Sequence, residues 1–136
     1  MSVSSPLRFL AIAAVGGFVL IGCSSVFSAP NLHALHGKAR PVVILSDSRD
    51  DPRVAKQISA LDHVKPELDN RNISVLSETK RNGTLHRSLA ASRHGFSVVL
   101  VGKDGSVKKV WHDPVDPKQI FTVIDRMPMR QREMNG

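Results

Sequence analysis

Pro41-Val42-Val43-Ile44-Leu45, running into Ser46-Asp47-Ser48-Arg49-Asp50-Asp51-Pro52-Arg53, is the stretch on which the fold turns. A short, unbroken apolar run rich in β-branched residues reads as a strand buried on both faces, the kind found in parallel sheets. Ser46 to Asp51 is a polar turn. Asp51 then supplies an N-cap and Pro52 the first helical residue, where a missing N–H does no harm. Val54, Ile58, Leu61, Val64 and Leu68 follow at helical spacing and give that helix one apolar face. Pro66 lies inside the pattern and must kink or end the helix.

Working outward, Ile73-Ser74-Val75-Leu76 reads as a second strand. Asn82-Gly83 breaks the chain. Thr84 caps a short helix running to about Arg93, with Leu85 and Leu89 turned inward and His94-Gly95 closing it. Phe96 to Val101 is a further strand. Asp104-Gly105 signals a hairpin between Lys103 and Ser106. Val107 to Trp111 is the partner strand, marked as an edge by Lys108 and Lys109. Asp116-Pro117-Lys118-Gln119 opens the last helix with a cap, an N1 proline and a capping-box glutamine. Its buried stripe is Ile120, Phe121, Ile124 and Met127, and Pro128 ends it. The order is β-α-β-α-β-β-α. A crossover helix makes the first strand pair parallel and the hairpin makes the last pair antiparallel. The expected fold is α/β, with a four-stranded mixed sheet flanked by helices.

Composition narrows the function. Of 136 residues 41% are hydrophobic, enough for a packed core, but only 4% are aromatic and tyrosine is absent. A carbohydrate or single-stranded nucleic-acid surface built on stacked rings is therefore not expected. The formal net charge is +7, and the lysines and arginines are scattered rather than gathered in one run. The chain has one cysteine, Cys23, which cannot form an internal disulfide.

The first residues read as an export signal over 1–22: Arg8 supplies the positive region, and Phe9 to Gly22 is free of charge and shorter than the roughly 20 residues of a spanning helix. Leu20-Ile21-Gly22-Cys23 resembles a bacterial lipobox, which implies acylation of Cys23 as the mature terminus. The other reading is an ordinary leader cut near Val26, Ser28 and Ala29. In both cases the mature domain keeps no free thiol. Residues 23–39 read as a flexible tether and 40–136 as the domain. Export also separates the chain from nucleic acid, which is not expected as a partner.

The element order and lengths resemble the minimal thioredoxin fold, and Phe96 to Val107 is similar to that fold's third strand and hairpin. A closer resemblance lies in Ile124-Asp125-Arg126-Met127-Pro128-Met129-Arg130-Gln131-Arg132-Glu133-Met134, with Asp50-Asp51-Pro52-Arg53 and Val101-Gly102-Lys103-Asp104-Gly105. These resemble the DUF4174 family, a thioredoxin-like and peroxiredoxin-like domain without an assigned activity. The resemblance places Asp50 and Arg53 where thioredoxins carry their two cysteines, and Ser97 at the cis-proline position. Thiol–disulfide exchange needs a thiolate attacking sulfur, which neither Asp50 nor Arg53 supplies.

The candidate cleft is thus Asp50, Asp51, Arg53 and Ser97, read either as a polar site at a helix start or as helix capping with surface charge. Lys80, Arg81, Arg87 and Arg93, together with His86 and His94, form a candidate basic patch, read either as a site for anionic headgroups or as a solvated helix face. His33 and His36 have no third metal ligand in view, so no metal and no cofactor are expected. Met129 and Met134 belong either to a partner-binding edge or to a tail folded over the core. The resulting expectation is a non-catalytic thioredoxin-like module of the cell envelope or secreted space. It would bind a protein or other envelope partner and reach the membrane through Cys23. A redox-associated enzyme using the same cleft and an anionic-surface binder are the alternatives.

Overall fold

The computed structural model describes residues 31–89 and 95–136. Its elements are α1 (Leu32–Leu35), β1 (Arg40–Ser46), α2 (Pro52–Asp62), α3 (Lys65–Asn70), β2 (Ile73–Glu78), α4 (Thr84–Leu89), β3 (Phe96–Val101), β4 (Val107–Trp111), α5 (Pro117–Asp125) and α6 (Pro128–Asn135). The four strands form one sheet in the order β2-β1-β3-β4. β1 and β2 are parallel, from Arg40 opposite Ile73 to Leu45 opposite Glu78. β1 and β3 are antiparallel, as are β3 and β4. The expected α/β architecture and strand directions hold, and β4 is an edge. The C-terminal ends of β1 and β2 therefore lie side by side, which is where open α/β sheets leave room for a site.

The strand period divides the core. Val42 and Ile44 of β1 join Phe96, Val98 and Leu100 of β3 on one face, under α2, α3 and α5. Val43, Leu45, Val99 and Val101 face the other way, under α4, with Leu32 of α1 packed against them. The helix expected to kink or end at Pro66 is two helices: α2 stops at Asp62, and Pro66 sits in the first turn of α3, where its missing N–H does no harm. The tether expected over 23–39 gives way at Asn31, whose side chain caps α1. The chain also continues past Pro128 as α6. The hairpin turn is wider than its Asp-Gly signal: the Gly105 amide donates to the Gly102 carbonyl and Gly105 has φ of 79°. The register then shifts, so that Leu100 pairs with Lys109 and Val101 with Val107.

Two buried polar arrangements hold the layers together. Gln57, on the inner face of α2, donates to the Val115 carbonyl at 3.0 Å and accepts from the Val115 amide at 2.7 Å, tying the segment before α5 to α2. Arg40 begins β1 and is only 1% exposed. Its guanidinium donates to the Arg71 carbonyl and, through both terminal nitrogens, to Glu133 of α6. Lys103 donates to the same carboxylate at 2.6 Å. Arg130 reaches the Asn70 carbonyl and Asp125, and Asp125 also accepts a two-pronged contact from Arg71. The C-terminal segment is thus clasped over the N-terminal ends of β1 and β2.

Hydrogen bonds from Arg40 hold the Glu133 carboxyl at about 2 against an ordinary 4.5, opposing the effect of burial and reinforced by Lys103. A carboxyl held low in the folded state stabilises the fold fully above its unfolded value and loses that contribution as pH falls through its folded one. The melting temperature should therefore fall on acidification from pH 4.5 towards about 2. Glu133→Gln should flatten that fall and lower stability near neutrality by about 2 kcal/mol, less than for a fully buried pair because the Glu133 side chain is 28% exposed. Thermal melts across that pH range check both; an unchanged pH profile in the variant contradicts the assignment.

Candidate functional site

The turn after β1 is built from its own polar side chains. Ser46 is buried, and its hydroxyl lies 2.9 Å from the Ser48 carbonyl oxygen and 3.3 Å from Asp51 Oδ2. Asp51 is the N-cap of α2, with Oδ1 accepting from the Arg53 amide at 3.0 Å. Arg53 then folds back on the same carboxylate: Nε lies 3.0 Å from Oδ1 and Nη2 lies 2.8 Å from Oδ2. The guanidinium sits 4.9 Å from the centre of the Phe96 ring, a cation–π contact across to the start of β3. The Asp113 charge adds to the field on Arg53. The hydrogen bond from Arg53 holds the Asp51 carboxyl at about 2, well below its ordinary 3.8.

Both Asp51 oxygens are engaged, and the Arg53 fork is spent on its own turn. Asp50 is exposed, with its amide bonded to Ser48 Oγ. Ser97 does not join the Asp51–Arg53 pair. It is the second residue of β3, fully buried opposite Leu45. The strand period turns it to the sheet face opposite Phe96, where its hydroxyl lies 3.3 Å from His112 Nδ1. The described residues contain no cis peptide bond.

A second polar cluster lies beside this turn, at the end of β2. Glu78 accepts from the Leu85 amide at 3.3 Å, the His86 amide at 2.8 Å and His86 Nδ1 at 2.8 Å. Burial raises the Glu78 carboxyl, but the His86 side chain and the two amides outweigh it and hold the group below its ordinary value. His86 is buried, and its Nε2 makes no hydrogen bond; the Asp47 carboxylate is 3.9 Å away. Arg81 lies 3.7 Å from Asp47. Of the expected basic patch, Lys80, Arg81 and Arg87 are exposed, while His86 is turned inward to Glu78. Arg93 and His94 lie outside the described residues, as does Cys23. His33 and His36 have ring centres 6.4 Å apart, and His36 Nε2 is 3.0 Å from the Asp104 carbonyl. Among the described residues no group of three histidine, cysteine or acidic side chains is arranged to hold a metal ion.

A strand-turn-helix closed by its own carboxylate, on a mixed sheet whose first two strands are parallel, is the geometry against which relatives can be weighed. The family model for the domain of unknown function DUF4174 matches residues 31–133. The chain belongs to the DUF4174 family. No curated protein matches it. Among solved structures, this DUF4174 domain is similar to thioredoxin-2, a component of the malaria parasite's protein secretion machinery (TM-score 0.53, 13% identity, 65% of this chain and 84% of that one). It is also similar to thioredoxin peroxidase I of Plasmodium yoelii (TM-score 0.53, 16% identity, 74% and 79%). A third is the exposed lipoprotein thioredoxin of Streptococcus pneumoniae (TM-score 0.50, 12% identity, 71% and 90%). At these identities the likeness is one of fold. The DUF4174 domain is thioredoxin-like.

Sequence reasoning missed the Glu78–His86 pair and its neighbour Asp47. The one local signal is Gly83, since a Cβ built there would run into the Glu78 carboxylate. Gly83→Ala in the DUF4174 domain should push Glu78 off the Leu85 and His86 amides and cost about 1–3 kcal/mol. Hydrogen exchange at those two amides should speed up more than at the β1 amides. Unchanged protection at Leu85 and His86 contradicts this role for Gly83.

Proposed function

We propose that this DUF4174 domain is a non-catalytic thioredoxin-like module that binds an envelope or secreted partner, and that its chain is exported and anchored through Cys23. The observation that carries the reading is the closed Asp51–Arg53 pair. In the resemblance to thioredoxins, positions 50 and 53 are the places of the two thiols. Here Asp50 is an exposed carboxylate and Arg53 is bound back onto the helix cap. Both oxygens of Asp51 already accept hydrogen bonds, so the turn presents no sulfur nucleophile, and its capping carboxylate is committed to the helix start. What remains is a rigid polar corner on a stable sheet, which suits recognition better than turnover.

Export and anchoring rest on the sequence: the charge-free stretch from Phe9 to Gly22 and the lipobox-like Leu20-Ile21-Gly22-Cys23. Among the described residues no helix is long and apolar enough to cross a membrane, so a spanning segment there does not compete with the lipid anchor. Acyl chains partition at about 0.8 kcal/mol per buried methylene, and two or more are needed for stable attachment.

Two measurements test the reading. The full chain should show no reduction of insulin disulfides and no peroxide consumption above buffer. Turnover that survives Cys23→Ser contradicts the non-catalytic claim and favours an enzyme working from this cleft without cysteine. The intact mass of the protein from its native membrane should show a diacylglyceryl and acyl addition on a chain beginning at Cys23. A mature terminus downstream of Cys23 contradicts the anchor.

A further inference from the structure

The end of the molecule opposite the thioredoxin-like corner carries a groove of about 500 Å³ between the β3–β4 turn and the α5–α6 junction. That volume lies within the range of small-ligand sites. Its apolar side is Val123, Met127, Pro128 and Met129. Met129 is 44% exposed although it is a large apolar residue, so the protein itself leaves that side chain uncovered. Arg40, Lys103, Lys108 and Arg126 also line it, with Asp104 as the one carboxylate in the lining.

The ion pairs around the groove are unevenly shared. Glu133 serves Arg40, Lys103 and, at 3.6 Å, Arg130. Asp125 serves both Arg71 and Arg130. Lys108 has Asp104 at 2.9 Å, and Arg126 is exposed with no ion pair among the described residues. Glu133, Asp125 and Asp104 thus pair with Arg40, Arg71, Lys103, Lys108 and Arg130, and Arg126 of the groove lining is left outside these pairs among the described residues. An acceptor-rich anion is the complement to such a surplus, and it meets the free guanidinium of Arg126 without having to break an existing pair. The methionine side accepts a flexible hydrocarbon chain, which thioether side chains accommodate by changing rotamer.

We infer that this groove binds a single-chain anionic amphiphile, with its carboxylate or phosphate head at Arg126 and Lys108 and its chain along Val123, Met127 and Met129. The inference is independent of the non-catalytic reading and of Cys23, since it uses neither.

The test uses the full chain carrying methyl-labelled methionine. Dodecyl phosphate, kept below its micellar concentration, is expected to shift the Met127 and Met129 methyl resonances in a saturable way and to leave Met134 in place. Arg126→Gln with Lys108→Gln should weaken that binding by about tenfold, which corresponds to roughly 1.4 kcal/mol. Dodecyl maltoside, with the same chain and no charge, should bind more weakly by a similar factor. Vesicles of phosphatidylglycerol and phosphatidylcholine form the second arm. Shifts with the monomer uphold the inference, and shifts with vesicles alone overturn it in favour of a two-chain bilayer lipid. No shift in either arm, equal affinity for the maltoside, or shifts spread over all the methionines overturns it. Tighter competition by an acidic leucine-rich peptide than by dodecyl phosphate also overturns it, in favour of a protein segment. The wild-type methyl map stands even if the double variant fails to fold.

Discussion

A strand buried on both faces along its whole length leaves the polar groups at its two ends to be satisfied inside the protein. β1 is such a strand: every residue from Arg40 to Ser46 is buried, between β2 on one side and β3 on the other. Much of the remaining polar structure can be traced to closing those ends. At the N-terminal end a guanidinium, that of Arg40, is taken out of water, and an unpaired buried charge is strongly destabilising. Glu133 comes back from α6 to meet it, which is why the C-terminal segment lies against the domain. At the other end the Ser46 hydroxyl feeds the turn, and Asp51 and Arg53 complete it.

The second closure bears directly on function. In a thioredoxin-like fold the turn after the first strand of this unit is where thiol chemistry is placed, because a helix start stabilises a thiolate. Here the same amide-rich helix start is given to a carboxylate of the chain itself, and a cation from one residue pair further along neutralises that carboxylate. The electrostatic resource is thereby used for folding. The first closure has the opposite effect. One carboxylate shared among Arg40, Lys103 and Arg130 leaves positive charge over, and that excess borders the methionine groove. One end of the sheet is neutralised within its own turn and the other is left asking for an anion.

Much of this was legible in the sequence, and the parts that were not share a physical cause. Phe96–Val101 and Val107–Trp111 are read to the residue, because a largely apolar run followed by an Asp-Gly turn and a partner strand depends only on local chemistry. The Asp51-Pro52 and Asp116-Pro117 starts are legible for the same reason, since a cap acts within one helical turn. Arg40 with Glu133 is a contact across 93 positions and leaves no periodicity behind. Gln57 reads as an ordinary polar residue in α2, and only the approach of Val115 explains why it is buried. His86 reads like its basic neighbours because six residues of helix are too few to show which face turns inward. The placement of Ser97 away from Arg53 follows from strand alternation once β3 is paired with β1, a step the resemblance alone does not supply.

This DUF4174 chain keeps the strand-turn-helix of the thioredoxin corner as a scaffold, with Asp50 and Arg53 where the two thiols would stand. The most direct measurement is therefore to put the sulfur back: Asp50→Cys with Arg53→Cys, in a Cys23→Ser background, followed by intact mass under oxidising conditions and an insulin-reduction assay. A reversible disulfide between positions 50 and 53 is expected, with turnover that the Cys23→Ser parent does not have. A folded double variant whose two thiols stay unpaired under oxidant and show no turnover would contradict it.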